Sequence, residues 1–229
     1  MKRMLLSMLV SFLMSSVMFG QQEVTKFLGI PVDGSKSKMI RQLKKKGFRR
    51  DFYTPNVLVG EFNGMDVNVH IATTKKKVSR IMICDANHID EAYIKARFNI
   101  LCAQFEKNNK YLSVASSSLD YIVSDNEDIS YEMSVNDKRY EATYYQLPTG
   151  IDRNAAIEDL QSFLRTRYTE EELDDPQKQA EIEETAFSYK WDKYAMRIVW
   201  FIISEYSDKY YITMFYDNEY NRISEGEDL

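Results

Sequence analysis

The sequence predicts an α+β protein in which helices pack on antiparallel meander sheets. Three features predict this class. Helical and alternating apolar patterns follow one another along the chain. Asn-Gly and similar residue pairs, which favour tight turns, separate the alternating segments. The order of a helix followed by strands occurs about three times, in residues 35–84, 89–147 and 152–217.

The first unit begins with a short helix. Ser35 or Ser37 can serve as its N-cap, because a serine hydroxyl can accept a backbone N–H of the first turn. Gly47 can adopt the left-handed conformation that often ends a helix. A helix this short depends on packing against another element, and the following sheet is the expected partner.

The strands of the first unit are predicted to form an antiparallel meander. Asn63-Gly64 favours a two-residue type I′ turn between strands at 57–62 and 65–73. This register places apolar side chains on one face and mostly polar side chains on the other, so that sheet is expected to be covered on one side only. A further strand is predicted at 78–84.

The second unit combines a broad apolar helix with a second hairpin. The helix is predicted to begin at Asn87 and to end at Asn108-Asn109. Two adjacent apolar stripes predict that it is well buried. The stripes are Ile89, Tyr93, Ala96 and Ile100, and Phe98, Leu101, Cys102 and Phe105. Residues 129–135 and 138–147 are predicted to pair as strands around Asn136-Asp137.

The third unit begins with helical segments. Asp152 is a suitable N-cap for a helix that extends to about Tyr168. Residues 169–175 are acidic, and they are expected to form a solvated surface because the spacing of a calcium-binding EF-hand loop is absent. Asp175-Pro176 can start a short helix that ends near Tyr189.

The last hairpin is the best candidate for a binding surface. Its strands, 196–205 and 209–217, are apolar on both faces. Such a hairpin lies centrally, meets a second layer or binds a partner. On one of these faces, Trp200, Tyr211 and Phe215 could stack on a sugar or anchor a protein. Core packing between two layers is the alternative.

The N-terminus has the pattern of a signal peptide. Lys2 and Arg3 precede an apolar run at 4–19, which is shorter than the ~20 residues of a membrane span. We therefore expect a signal peptide at 1–20, cleavage near Gly20, and a periplasmic or secreted chain with no membrane span. An uncleaved anchor is the alternative.

The mature chain is long enough for one large domain or two small ones. Residues 21–147 are expected to hold the helix and antiparallel sheet units, and residues 148–229 the C-terminal helix and hairpin. The two segments are expected to pack as one compact body.

Two cysteines, Cys84 and Cys102, raise the question of a disulfide. An exported protein meets an oxidising compartment in which such a pair can form a bridge. Two buried thiols that behave as small apolar residues are the alternative. The sequence leaves both open.

Charge and motifs exclude several function classes. The chain has 30 basic and 35 acidic residues, and removing Lys2 and Arg3 leaves 28 against 35, a net charge of −7. This balance disfavours a nucleic-acid partner, because phosphate binding requires positive charge. His88 lies near Cys84, Asp85 and Asp90, but a capping loop explains these residues better than a zinc site. We expect no metal and no cofactor.

Several short segments carry a resemblance. FLGIPVDGSKSKMI, KKGF, GEFNGMDVNV and KVSRI lie within residues 27–83. They resemble segments of uncharacterised secreted proteins of Bacteroidetes-type bacteria. The general plan is similar to that of beta-lactamase-inhibitory-protein-like modules, in which a helical segment packs on an antiparallel sheet. The inhibitor analogy implies protein binding and assigns no site residue.

The function expected from the sequence is therefore binding. The chain contains neither a nucleophile elbow nor a phosphate-binding loop, so an enzyme is disfavoured. An exported, non-enzymatic protein that binds a protein partner is the preferred hypothesis. A carbohydrate-binding or carbohydrate-active periplasmic protein is the alternative.

Overall fold

A computed structural model describes residues 23–222, and its main element is an eight-stranded antiparallel sheet. From one edge to the other, the strands are β3 (Arg49–Arg50), β4 (Leu58–Phe62), β5 (Met65–Thr74), β6 (Lys77–Asp85), β10 (Lys209–Asp217), β9 (Ile198–Tyr206), β8 (Glu141–Gln146) and β7 (Tyr111–Ser113). A two-stranded ribbon, β1 (Lys26–Phe27) and β2 (Ile30–Pro31), precedes the sheet in the chain.

Seven α-helices lie within residues 23–222. They are α1 (Lys36–Lys45), α2 (Glu91–Lys107), α3 (Ile129–Val135), α4 (Arg153–Arg165), α5 (Glu170–Leu173), α6 (Gln179–Tyr194) and α7 (Glu219–Arg222). The elements confirm the predicted α+β class. The helix-then-strands order also holds: α1 precedes β3–β6, α2 precedes β7 and β8, and α4–α6 precede β9 and β10.

The main hydrophobic core lies between one face of the sheet and the first two helices. Met39 and Leu43 of α1 are fully buried there, and so are Phe98 and Leu101 of α2. Burying one such side chain contributes roughly 1.5–3 kcal/mol, so packing on the sheet holds these helices in place.

A smaller core lies on the opposite face, at the β7–β8 edge. Leu112 and Tyr145 pair in register and are buried with Ala156 of α4 and Tyr194 of α6. The preceding residue, Tyr144, belongs to the main core. The two tyrosines are buried on different sides of the sheet because neighbouring residues of a strand point to opposite faces. The edge of the sheet is therefore covered on both sides.

The β4–β5 and β9–β10 hairpins have the register that the sequence predicts. Phe62 pairs with Met65, and Phe201 pairs with Met214. Asn63-Gly64 has positive φ angles of 53° and 74°, as a type I′ turn requires. These local signals therefore account for the pairing of four of the eight strands, β4 with β5 and β9 with β10.

The predicted hairpin of residues 129–147 is wrong. Residues 129–135 form α3, and its N-cap is the side chain of Asp128, which accepts the N–H of Tyr131 at 2.9 Å. Ile129 is fully buried, whereas Tyr131 is 53% exposed. Alternating apolar residues over seven positions fit a strand, but the cap and the packing of Ile129 favour a helix here.

The helix α2 is buried on one side only, which corrects the prediction of two buried stripes. Its Phe98 stripe belongs to the main core, but Tyr93 is 69% exposed and Ile100 is 57% exposed. The helix also begins later than Asn87, with Asp90 at the N-cap position. The pair of possible capping residues, Asn87 and Asp90, was thus an imprecise guide to the first turn of the helix.

The third unit keeps its predicted start and extends further. The side chain of Asp152 caps α4 by accepting the N–H of Ala155 at 2.9 Å. The helix predicted to end near Tyr189 is α6, which continues to Tyr194 because Ile182, Lys190 and Tyr194 form a buried stripe.

A buried ion pair joins α2 to the centre of the sheet. Asp85 of β6 is 4% exposed and accepts two hydrogen bonds from Arg97, at 2.7 and 2.6 Å. The same carboxylate accepts the N–H of Ile212 of β10 at 3.1 Å. The pair fixes the position of the helix relative to two strands from distant parts of the chain.

We expect Asp85→Ala to lower the free energy of unfolding by about 3 kcal/mol, because it leaves the Arg97 guanidinium partly buried without its partner. Urea denaturation measures this change. Asp66→Ala, which removes an exposed carboxylate, is the control and should change stability by less than about 0.5 kcal/mol. Equal effects of the two substitutions would contradict a role for the ion pair.

Lys190 attaches α6 to the β7 edge. Its Nζ donates to the backbone carbonyls of Ser113, Val114 and Ala115, at 3.2, 2.8 and 3.3 Å. Burial lowers the pKa of this lysine. The folded protein therefore binds the Lys190 proton less tightly than the unfolded chain does.

A lowered lysine pKa makes stability rise with pH between the folded and the unfolded pKa values. The quantity to compare is the difference in unfolding free energy between the parent protein and Lys190→Met. We expect this difference, parent minus variant, to increase as pH rises from neutral toward about 10. Denaturation of both proteins across this range tests the expectation. A difference that stays flat or decreases would show that Lys190 does not titrate as its burial implies.

Candidate functional site

The residues predicted to bind a partner fall into two separate groups. Trp200 and Phe215 pair directly across β9 and β10, on the sheet face opposite α2. Their rings are stacked with centroids 3.9 Å apart and an interplanar angle of 14°. The Arg80 guanidinium lies 4.7 Å from the Phe215 ring centroid and 5.5 Å from that of Trp200.

The polar ends of this group converge on Asp217, which is fully buried. Trp200 Nε1 donates to Asp217 Oδ2 at 2.9 Å. Arg80 donates to both carboxylate oxygens, at 2.5 and 2.8 Å, and Arg222 of α7 donates at 2.8 Å. These contacts satisfy the polar atoms within the protein. We call Arg80, Trp200, Phe215 and Asp217 the aromatic ladder.

Tyr211 belongs to the second group, at the other end of the strand. Its ring stacks on His88, with centroids 4.6 Å apart, and Tyr206 lies edge-on to the same histidine at 5.8 Å. Tyr211 and Phe215 are four positions apart on β10, a distance of about 13 Å along a strand. The predicted surface is therefore not one cluster.

Both cysteines are free thiols, which answers the question that the sequence left open. Cys84 pairs with Thr213, on the same sheet face as the aromatic ladder. Cys102 lies in the main core on the other face. The sheet separates the two side chains, so of the two alternatives that the sequence left open, this structure has the free thiols. Burial raises the pKa of Cys84, and it raises that of Cys102 to about 12.

The residues around His88 do not converge. His88 is exposed and stacks on Tyr211, and the Asp85 carboxylate is occupied by Arg97. Within residues 23–222, no group of three or more histidine, cysteine or acidic side chains could hold a metal ion. None of the described helices combines the length and the apolar character that a membrane-spanning helix needs.

Sequence reasoning missed a large cavity of the described fold. It has a volume of about 1000 Å³ and lies on the α2 side of the sheet. Four segments meet around it: the ribbon turn at Leu28-Gly29, the β4–β5 turn at Asn63, the end of α2, and the loop 147–151. These segments are far apart in the sequence.

The floor of the cavity is apolar apart from two hydroxyl groups. It consists of Phe62, Leu101, Phe105, Met214, Tyr111 and Tyr216. The hydroxyls of these two tyrosines are neighbours in the cavity floor. Burial raises the pKa of both tyrosines, so both stay protonated near neutral pH.

Gln146 of β8 holds the ribbon wall in place. Its Oε1 accepts the backbone N–H of Lys26 at 2.6 Å, and its Nε2 donates to the Lys26 carbonyl at 3.0 Å. The same Nε2 lies 3.1 Å from the Tyr111 hydroxyl. One amide thus connects the ribbon, the sheet and the cavity floor.

The rim of the cavity is positively charged. Lys26, Lys46 and Lys110 line it, together with the single carboxylate of Glu61. Lys26 Nζ donates to Thr149 Oγ1 at 3.0 Å, while Lys46 and Lys110 are exposed. Lys46 follows α1 and Lys110 follows α2, so no local sequence pattern could have grouped them.

No family model matches the chain, and no curated protein or solved structure matches it significantly. The resemblance of residues 27–83 to secreted proteins of Bacteroidetes-type bacteria, and to beta-lactamase-inhibitory-protein-like modules, therefore stays a prediction.

We expect the aromatic ladder to stabilise the fold. Trp200→Ala and Phe215→Ala should each lower the free energy of unfolding by about 3 kcal/mol, because each removes a large, half-buried ring. The stacked pair should show a coupling of about 0.5–1.5 kcal/mol in a double-mutant cycle. Thermal or urea denaturation measures both quantities.

Tyr206→Ala is the control, since this ring is 67% exposed on the same hairpin. Its effect should stay within about 0.5 kcal/mol. Ladder variants as stable as the Tyr206 variant would show that the ladder is free to serve as a binding surface.

Proposed function

We propose that this protein is an exported, non-enzymatic binding protein and that the lysine-rimmed cavity holds its ligand. The size of the cavity carries the proposal. A volume of about 1000 Å³ is at the upper end of the range typical of small-molecule sites. Such sites combine a mostly apolar lining with a few polar groups that orient the ligand, and this cavity has that composition.

The chemistry of the lining favours an apolar ligand with one acidic group. The floor offers ring and aliphatic surface, and the Tyr111 hydroxyl already accepts a hydrogen bond from Gln146 Nε2. Lys46 and Lys110 at the rim can donate charge-assisted hydrogen bonds to a carboxylate or a phosphate. A fatty-acid-like carboxylate fits both requirements.

The titratable groups of the lining support binding over catalysis. Tyr111 and Tyr216 have raised pKa values and are poor bases or nucleophiles at neutral pH. Gln146 is engaged with the ribbon backbone, which leaves it little freedom to act on a substrate.

The proposed export, to the periplasm or out of the cell, depends on the N-terminal segment. Lys2, Arg3 and the apolar run that follows lie outside the described residues, so their support comes from the sequence alone.

Protein recognition and sugar binding through Trp200, Tyr211 and Phe215 stay predictions. The structure gives them less support than it gives the cavity. The facing surfaces of Trp200 and Phe215 are occupied by each other, and Arg80 lies against them. A partner would therefore find ring edges rather than a free stacking platform.

A dansyl-labelled fatty acid tests the proposed site. The parent protein should give a saturable rise in dansyl fluorescence, because the probe enters an apolar environment. Lys46→Gln with Lys110→Gln should weaken the affinity by about tenfold, the effect of losing roughly 1.4 kcal/mol of binding free energy. Ile151→Trp, which adds bulk at the mouth of the cavity, should weaken binding while the lysines remain.

Lys107→Gln is the matched control, since this exposed lysine ends α2 without lining the cavity. The methyl ester of the probe should bind the parent and the double lysine variant equally. Binding that none of these changes weakens would place the probe elsewhere and refute the proposed site.

A further inference from the structure

The most exposed aromatic side chains of the described fold form a pair on the β3–β4 loop. Phe52 is 87% exposed and Tyr53 is 88% exposed. Their rings meet edge to face, with centroids 5.1 Å apart and an interplanar angle of 87°. Single exposed apolar residues are ordinary, but two adjacent and nearly bare rings point to a partner.

The backbone of this loop is braced. Asp51 Oδ2 accepts the N–H groups of Tyr53 and Thr54, at 3.0 and 2.6 Å. The N–H of Asp51 donates to the Val57 carbonyl at 3.0 Å, and that of Val57 donates to the Thr54 carbonyl at 2.9 Å. The two rings therefore project from a closed turn, residues 51–57, which we call the tip loop.

The chain leading into the tip loop is strongly basic. Residues 36–50 contain eight lysines and arginines and no acidic residue, although the whole chain has a net charge of −5. Seven of the eight are exposed: Lys38, Arg41, Lys44, Lys45, Lys46, Arg49 and Arg50. Positive charge is thus concentrated beside the aromatic pair in an otherwise acidic protein.

We propose that the tip loop docks the protein on an anionic membrane surface. The apolar ring of Phe52 and the amphipathic ring of Tyr53 would enter the headgroup region, where both kinds of ring are found. Arg49, Lys45 and their neighbours would lie over anionic lipid headgroups, which attract clustered basic residues. The protein then binds a membrane peripherally, without a spanning segment.

The combination of features favours a membrane over other anionic partners. Basic residues alone would suit any polyanion, and exposed rings alone would suit any apolar groove. A lipid surface offers both an anionic layer and an apolar layer beneath it, which suits a segment of exposed basic residues followed by a pair of exposed rings. This inference is independent of the proposed cavity ligand.

Vesicle sedimentation tests the inference, with the chain from Gln21 onward, which contains every described residue. The parent should sediment with vesicles of phosphatidylglycerol and phosphatidylethanolamine and not with phosphatidylcholine alone. Phe52→Ser with Tyr53→Ser should lower the partition coefficient at least about tenfold. Lys45→Gln with Arg49→Gln should lower it too, and so should ~1 M NaCl, at which charge is screened within about 3 Å.

Matched controls distinguish binding through the tip loop from nonspecific adsorption to vesicles. Tyr93→Ser removes an aromatic ring that is 69% exposed on α2, and Lys107→Gln removes an exposed lysine on the same helix. Neither should change the partition coefficient. In a Phe52→Trp variant, brominated lipid should quench the new indole more strongly than it quenches the parent's own tryptophans.

Three results would overturn the proposal. The parent could remain in the supernatant with anionic vesicles. The serine variant could sediment like the parent while keeping the same circular dichroism spectrum. Soluble poly-glutamate could bind the parent as tightly as the vesicles do, without dependence on Phe52 and Tyr53, which would make the surface a general polyanion site.

Discussion

The fold depends on a hairpin whose two faces are both apolar. One face of β9 and β10 joins the main core under α2, so the other face also has to be shielded from water. The protein meets this requirement in two ways. Helices α4 and α6 cover the β7–β8 edge, and over the central strands the aromatic ladder shields the sheet with its own side chains. Asp217 makes the second solution possible, because one buried carboxylate satisfies the indole and guanidinium groups that stand on that face.

The surface that covers the sheet differs from the surfaces that are open to a ligand. In the ladder, the contacts of Trp200 are made within the protein, whereas the cavity and the tip loop expose groups whose contacts are incomplete. Lys46 stands between these two surfaces in the sequence, since it lines the cavity and belongs to the basic segment before the tip loop. A lipid-like acid in the cavity and an anionic membrane at the tip loop would be compatible functions of one binding protein.

Turn residues and apolar alternation correctly predicted the elements whose conformation depends on residues close together in the sequence. Asn63-Gly64 and the alternation of β9 and β10 give the correct register, because a two-residue turn leaves few alternatives. Residues 129–135 were mispredicted because a short apolar segment fits either a strand or a helix, and only the packing of Ile129 decides. The cavity was not predictable, since its lysines come from three distant parts of the chain. Trp200 and Phe215 were correctly placed on one face, but nothing local shows that Asp217 satisfies them.

The position of β9 and β10 in the sheet has a consequence for how the chain folds. The last hairpin in the sequence lies between β6 and β8, which come from earlier segments. The edges that β6 and β8 present to this hairpin therefore stay unpaired until the C-terminal residues arrive. Chains of this topology fold slowly and expose edges that can pair wrongly in the meantime. Under the proposed export, the same delay would keep the chain competent for translocation until its final strands have emerged.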